Sequence, residues 1–135
     1  MTAKPVALCP CGLPLAYEAC CGRYVDHPEV PAPTAEALMR SRYCAYTRRN
    51  ETYLLSSWHP DTRPDRLDLS QDEGLIKWQG LEVLGRAAGQ EGDQEGVVEF
   101  VARYKVAGRA QRLHEISRFV CQDGRWYYLD GDISD

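Results

Sequence analysis

Between residues 34 and 47 the apolar positions return at helical spacing. Ala35, Leu38, Met39, Ala45 and Tyr46 fall on one face, with Arg42 among them. That stripe predicts an amphipathic helix of about four turns. Thr34 stands at its N-cap, and Glu36 in the first turn suits the helix dipole. Asn50 predicts the cap of a second, short helix carrying Tyr53, Leu54 and Trp58, which Pro60 stops. Residues 60–64 read as loop. A third helical stretch is expected over 65–76, ending near Gly74.

Beyond Gly80 the period changes from helical to two. Strands are expected over 80–88, 96–107, 111–121 and 125–129, with Val97, Val98, Phe100, Val101, Tyr104 and Val106 typical of their content. Gln90–Glu95 is a polar connection, Gly108-Arg109 turns the chain, and Asp123-Gly124 is a hairpin turn. Short connections between successive strands mean an antiparallel meander. Helices must cover one face of that sheet to bury it. Long twisted strands curve, so the expected fold is α+β: a cone of curved sheet closed by N-terminal helices around an internal cavity.

Ahead of the helices neither period appears. Residues 24–33 hold Pro28, Pro31 and Pro33 and read as a linker. The organisation expected is therefore a small knuckle at 1–23, a linker at 24–33, and an α+β domain at 34–135 with its own core.

Composition changes this picture little. Of 135 residues, 44% are hydrophobic and 27% charged, which is ordinary for a globular chain. The net charge of -4 argues against a protein that works by neutralising phosphates, so a nucleic-acid partner is not expected. No apolar run approaches the roughly 20 residues that span a bilayer, and no apolar h-region follows Met1-Thr2-Ala3-Lys4-Pro5. A cytoplasmic protein away from the membrane is expected. Structural disulfides are rare in that compartment. The six cysteines then need another account.

Four of them lie within residues 9–21 as Cys9-Pro10-Cys11 and Cys20-Cys21, a C-x-C-x8-C-C pattern. Two close pairs on a short loop suit a tetrahedral metal, zinc or iron, with thiolates at about 2.3 Å. The competing reading is a disulfide or unrelated buried thiols, and a bridge between the neighbours Cys20 and Cys21 would be strained. With four protein ligands such a site is closed, hence structural. A short helical turn over 14–20 would deliver the second pair. Cys44 and Cys121 read as buried, unreactive thiols.

The run Cys9-Pro10-Cys11-Gly12 followed by Cys20-Cys21-Gly22 resembles the SEC-C motif found at the end of the SecA translocation ATPase. The resemblance implies zinc on Cys9, Cys11, Cys20 and Cys21, with Cys21 where SecA-type members usually carry His. It also implies a protein partner for the knuckle. Leu13-Pro14-Leu15 replaces the usual Ser-Gly-Lys, and Glu18 is acidic, so the basic surface of that motif is missing here. Three longer stretches widen the match: residues 33–46, Trp58-His59-Pro60-Asp61-Thr62-Arg63 and Trp78-Gln79-Gly80-Leu81-Glu82-Val83. With His114-Glu115-Ile116-Ser117-Arg118-Phe119 and residues 124–131, the whole resembles the bacterial YchJ-like, or UPF0225, family. That resemblance implies an NTF2-like (cystatin-related) cone behind the knuckle and names no reaction.

Five residues carry possible chemistry in the cone. Arg42 lies on an apolar helix face, so it is either a pocket arginine for an anionic ligand or half of an ion pair with Glu115 or Asp130. Alternation along the third strand puts Glu115, Ser117 and Phe119 on one face and His114, Ile116 and Arg118 on the other. The face shared by Leu113, Phe119 and Cys121 is expected to be the concave one, so Glu115 points into the cavity. A carboxylate there could serve as acid or base. Trp58 and His59 end the second helix near the expected cavity mouth, where His59 is either an acid–base group or a surface cap. The ligand-binding candidates are thus Arg42, Glu115, His59, Trp58 and Arg118, and the catalytic ones Glu115 and His59. No phosphate-binding Gly loop or Ser/His/Asp order is present. A binding or adaptor protein is therefore the leading expectation, with the knuckle facing a protein partner and the cone a ligand or, through its sheet, a second copy. A small enzyme using the cavity is the alternative.

Overall fold

The structure, a computed structural model, describes residues 8–67 and 76–134. The two helix caps form as the sequence predicts. Helix α2 spans Ala35–Thr47, and Thr34 Oγ1 accepts from the Ala37 N–H at 3.0 Å. Helix α3 spans Glu51–Ser56, and Asn50 Oδ1 accepts from the Tyr53 N–H at 3.0 Å. Each cap satisfies one of the orphan amides at a helix start. The third helical stretch is not seen where it can be judged. Residues 65–67 are not helical, Ile76 already belongs to a strand, and 68–75 lie outside the described residues.

Four strands follow, β1 (Ile76–Ala88), β2 (Glu95–Val106), β3 (Arg109–Gln122) and β4 (Arg125–Ser134), paired antiparallel in the order β1-β2-β3-β4. β1, β3 and β4 run longer than the sequence predicts, because ladder bonding carries them past the clear alternation, and β2 keeps the expected length one residue earlier. β1 begins four residues early and β4 continues five residues beyond Leu129. Two of the three hairpin connections are tight. Ala107-Gly108 and Asp123-Gly124 both take positive φ, the backbone that two-residue turns between twisted strands require.

The register shifts between Trp78 and Gly80, between Val83 and Gly85, and opposite Arg118/Phe119, where Leu129 is the extra residue. Such bulges bend a strand and reverse which parity faces inward. They explain why Trp78 and then Leu81 and Val83 turn to the core in β1. In β4 the same effect brings Tyr128 and then Gly131 and Ile133 to the concave side.

α2 lies across the concave face. The end of α3 is tied to β4 by His59 N–H to the Tyr128 carbonyl at 2.8 Å and Tyr128 N–H to the Ser57 carbonyl at 2.9 Å. The N-terminal knuckle is not a separate body. Its four cysteines and Tyr17 belong to the same buried cluster as Leu38, Met39, Leu54, Phe119 and Trp126. The segment 24–33, read above as a linker, begins inside a one-turn helix, α1 (Gly22–Val25), and buries Tyr24, Val25 and Ala32. Arg125 holds it by donating to the carbonyls of Pro28 and Glu29. Proline spacing signals irregular backbone, and it does not signal whether that backbone is packed. Among the described residues no helix is long and apolar enough to cross a membrane.

Candidate metal centre and ligand cavity

Cys9 and Cys11 flank a tight turn. The Cys9 N–H donates to the Leu15 carbonyl at 2.7 Å, and the Gly12 N–H donates to the Cys9 carbonyl at 3.2 Å. Gly12 sits at φ +97°, a conformation that only glycine takes without strain, and an added Cβ would press the Leu81 carbonyl at 3.2 Å. Cys20 and Cys21 leave a 3-10 turn at Tyr17–Ala19 and open α1. The helical turn expected over 14–20 is thus shorter than predicted. Tyr17, buried beneath the second pair, has Arg48 over its ring at 3.8 Å and donates to Asp26.

The four sulfur atoms all lie within 4.8 Å of one another, and every one of the residues is buried. A tetrahedron with 2.3 Å bonds has an S–S edge of about 3.8 Å. Cys11 and Cys20 stand 3.6 Å apart. All six cysteines are free thiols, so the disulfide reading finds no support. Cys9, Cys11, Cys20 and Cys21 are therefore placed to hold a metal ion. Hydrogen bonding from the Cys21 thiol, and then from Cys44, holds the Cys11 thiol low. Burial, followed by the neighbouring Cys11, pushes the Cys20 thiol up to about 11. An ion would replace these shared protons as the counter-charge. Arg40, itself held by Glu36 at 2.9 Å, donates to the Cys11 carbonyl at 2.7 Å and so ties the knuckle to α2.

Sequence reasoning missed one residue here. Cys44, fully buried on α2, places its sulfur 3.5 Å from that of Cys9. Its spacing from Arg40 puts the two on one helix face. Nothing in the sequence says that this face meets the knuckle.

The second feature is a cavity of about 350 Å³ between α2, the end of α3 and the concave sheet face. Arg42 and Glu115 both line it, as do Trp58 and Tyr128. The expected ion pair is not formed. Arg42 Nη1 donates to the Leu54 carbonyl at 2.8 Å and to Ser57 Oγ at 2.6 Å. Its guanidinium carbon lies 5.1 Å from the Trp58 ring centre and 4.7 Å from that of Tyr128. Burial pulls the Arg42 pKa down, and the nearby phenols and Glu115 oppose that pull. Asp130 is engaged elsewhere, by Arg118.

Glu115 faces the cavity, as strand alternation predicts. Its Oε2 accepts from Ser117 Oγ at 2.5 Å and from the Tyr128 hydroxyl at 2.9 Å. Burial, with the Glu115 charge next, pushes the Tyr128 phenol up, so it stays a donor at neutral pH. The Trp58 indole N–H is buried without a hydrogen-bond partner among the described residues.

The other two candidates lie apart from these. His59 is outside the cavity lining. It bonds Gln122 through Nε2 at 2.8 Å and accepts from the Asp61 N–H at 3.1 Å, and so braces a surface loop. Arg118 is on the opposite sheet face, joined to Asp130 and Asp132. The structure brings Arg42, Glu115 and Trp58 together and leaves His59 and Arg118 outside.

Comparison with known proteins agrees with both halves. A family model described as the YchJ middle NTF2-like domain matches residues 34–131. A UPF0225 protein of Chromobacterium violaceum is 60% identical over 128 residues, covering 95% of this chain and 94% of its own. One from Streptomyces coelicolor is 50% identical over 131 residues, covering 97% and 99%. Among solved structures, a SEC-C motif containing protein from Rhodopseudomonas palustris superposes with a TM-score of 0.80 at 34% identity, covering 94% of this chain and 98% of that one. A second SEC-C motif containing protein, from Psychrobacter arcticus, gives 0.72 at 31% identity, covering 94% and 82%.

Proposed function

This chain belongs to the UPF0225 family, with a YchJ-type NTF2-like domain, and from that footing we propose that it is a zinc-anchored binding protein. Cys9, Cys11, Cys20 and Cys21 hold a structural zinc, and the cone holds a small organic ligand. The all-thiolate donor set and its near-tetrahedral spacing support zinc. With four protein ligands the ion has no open position, so it supplies rigidity and no chemistry.

One observation carries the ligand reading. Two buried charged groups, Arg42 and Glu115, line one cavity, and each is satisfied by its own neighbours rather than by the other. The space between the helices and the sheet therefore stays open, with aromatic walls and a few fixed polar groups, as small-molecule sites do. The ligand it fits is small, ring-bearing and mostly apolar, with one polar end that donates to Glu115 and accepts from Trp58. Proton transfer by Glu115 is the weaker reading, because His59 stands outside the cavity.

The test uses 8-anilinonaphthalene-1-sulfonate as an aromatic probe, with Trp58 and Trp78 in the cavity wall as intrinsic reporters. The folded protein is expected to bind one probe per chain saturably. Leu113→Trp, which fills the cavity from β3, is expected to abolish binding with an unchanged melting temperature. Equal binding by both proteins would remove the ligand reading. Elemental analysis should find about one zinc per chain; iron instead, or no metal, would overturn the metal assignment.

A protein partner for the knuckle is a second reading. Leu8 and Leu15 favour it, being 62% and 44% exposed on the knuckle surface.

A further inference from the structure

The net charge of -4 sums over the whole chain and does not say where the charges sit. Strand register places four of the cations together. Lys77 of β1 stands directly opposite Lys105 of β2, and Arg103 of β2 stands directly opposite Arg112 of β3. Cross-strand partners share a face of the sheet, and Arg103 and Lys105 share theirs because they are two residues apart. Trp78, Ala102 and Leu113, the chain neighbours of Lys77, Arg103 and Arg112, line the cavity. The four cations therefore stand on the convex face. All four are exposed, and they form a compact block at the end of the sheet that carries the β2–β3 turn.

Like charges directly opposite each other in a sheet repel. Further along the same face the basic groups are matched. His114 bonds Glu99 at 2.6 Å, and Arg118 is joined to both Asp130 and Asp132. Within the block, Glu82 lies 3.5 Å from Arg103. No acid among the described residues pairs with Lys77, Lys105 or Arg112. Repulsion left unbalanced in a sheet that matches its other charges calls for an external polyanion. Arginine forks fit the oxygens of a phosphate in pairs. The block stands on an open strand face, which suits a long backbone better than an enclosed small anion. Glu82, Val101 and Ala110 are its neighbours on that face and offer no ring for an unpaired base to stack on, so a duplex fits better than a single strand.

We propose that Lys77, Arg103, Lys105 and Arg112 form a docking face for the phosphate backbone of a nucleic-acid duplex, bound without regard to base sequence. The face lies on the other side of the sheet from the cavity, so its failure would leave the ligand and metal readings untouched, and theirs would leave it standing.

Fluorescence anisotropy of the full-length protein with a labelled, mixed-sequence DNA duplex, titrated over a range of salt, provides the test. Each phosphate contact contributes about -0.9 to the slope of log K against log[salt], so four contacts give about -3.6. Arg112→Gln should make that slope shallower by about 0.9 and weaken binding at low salt. Arg118→Gln removes the same charge from the same strand and face, away from the block, and should leave the slope unchanged. No binding by the wild type, or a slope that both substitutions change alike, would overturn the proposal. Circular dichroism checks that each variant is folded; should one fail, the wild-type slope decides, and a value near zero overturns it. Phosphatidylserine vesicles and a polyglutamate peptide are tested in parallel. Arg112-dependent binding to either, without binding to the duplex, would give the block to a membrane or an acidic protein instead. The acids Asp72 and Glu73 lie outside the described residues. Duplex binding that emerges only in Asp72→Asn/Glu73→Gln would show that the chain fills the block itself, and would likewise overturn the proposal.

Discussion

Gly131→Ala places a methyl group where the Glu115 carboxylate now sits. The new Cβ would overlap Oε2 outright, and would stand 2.8 Å from Cδ and 3.0 Å from Cγ of Glu115. Gly131 does not have positive φ, so the substitution adds no backbone strain of its own. Glu115 is buried and cannot swing freely, because Ser117 and Tyr128 both donate to the same oxygen. If the site absorbs the methyl by shifting, overpacking costs about 1–3 kcal/mol. If the carboxylate leaves, it gives up two bonds to a charged acceptor, at about 1.5–3 kcal/mol each. The cheaper route sets the expected loss at about 1–3 kcal/mol.

Urea unfolding followed by tryptophan fluorescence measures it. With a slope of about 1–3 kcal/mol per molar, a loss of about 2 kcal/mol lowers the midpoint by roughly 0.7–2 M. Gly80→Ala is the control, since nothing lies within 4 Å of its added Cβ, and it should stay within about 0.5 kcal/mol of wild type. The decisive comparison is a double-mutant cycle. In a Glu115→Ala background the cost of Gly131→Ala should drop below about 0.5 kcal/mol. An equal cost in both backgrounds would refute the argument that the glycine makes room for the carboxylate.

Arg42→Met should destabilise by about 2–4 kcal/mol, because it leaves the buried Leu54 carbonyl without its guanidinium donor and removes the cation from beside the Trp58 and Tyr128 rings; denaturant unfolding within 0.5 kcal/mol of wild type would contradict this. Arg42→Lys should not restore stability, since an ammonium cannot lie against both rings while also reaching the Leu54 carbonyl and Ser57. Chelation of the metal should lower the melting temperature of one cooperative transition by on the order of 10 °C, because the knuckle cysteines share a core with α2; calorimetry showing a separate knuckle transition would count against a single unit. Glu36 provides a pH test. Burial raises its pKa, but hydrogen bonds from Arg40 and Arg86 outweigh burial and hold it below the usual carboxylate range. A depressed folded-state pKa gives stability that is present above the unfolded value near pH 4.3 and is lost as pH falls through the folded value. Glu36→Gln should therefore flatten the stability profile in that acid window and lower the plateau above it. An unchanged slope there would exclude Glu36 as a contributor.

Much of this molecule is legible in one dimension because its signals are local. Thr34 and Asn50 cap helices through bonds to residues three positions on, and Asp123-Gly124 closes its own hairpin. Strand alternation sends Glu115 inward because the pleat allows only two faces. The C-x-C-x8-C-C spacing brings four thiols together because a tight turn and a short 3-10 turn span so few residues.

The features that no local pattern shows are those that depend on where distant segments meet. Leu129 is an unremarkable residue until it becomes the extra one in a bulge, and only then do Gly131 and Ile133 turn toward Glu115. The sequence leaves Arg42 as either a pocket arginine or half of an ion pair with an acid. The structure surrounds it instead with a helix-end carbonyl, a serine and two rings from elements 12 or more residues away. His59 lies close to Trp58 in sequence yet projects to Gln122 at the surface.

The cysteines show the division most plainly. The C-x-C-x8-C-C pattern by itself points to Cys9, Cys11, Cys20 and Cys21 as one cluster, because two close pairs on a short loop suit a tetrahedral metal. Only the tertiary structure decided that this cluster is buried against α2, that residues 24–33 are packed rather than free, and that Cys44 stands beside Cys9. Helix periodicity fixes which side of α2 a residue occupies. Which surface arrives on that side is set by packing across the whole chain, and no local pattern encodes it.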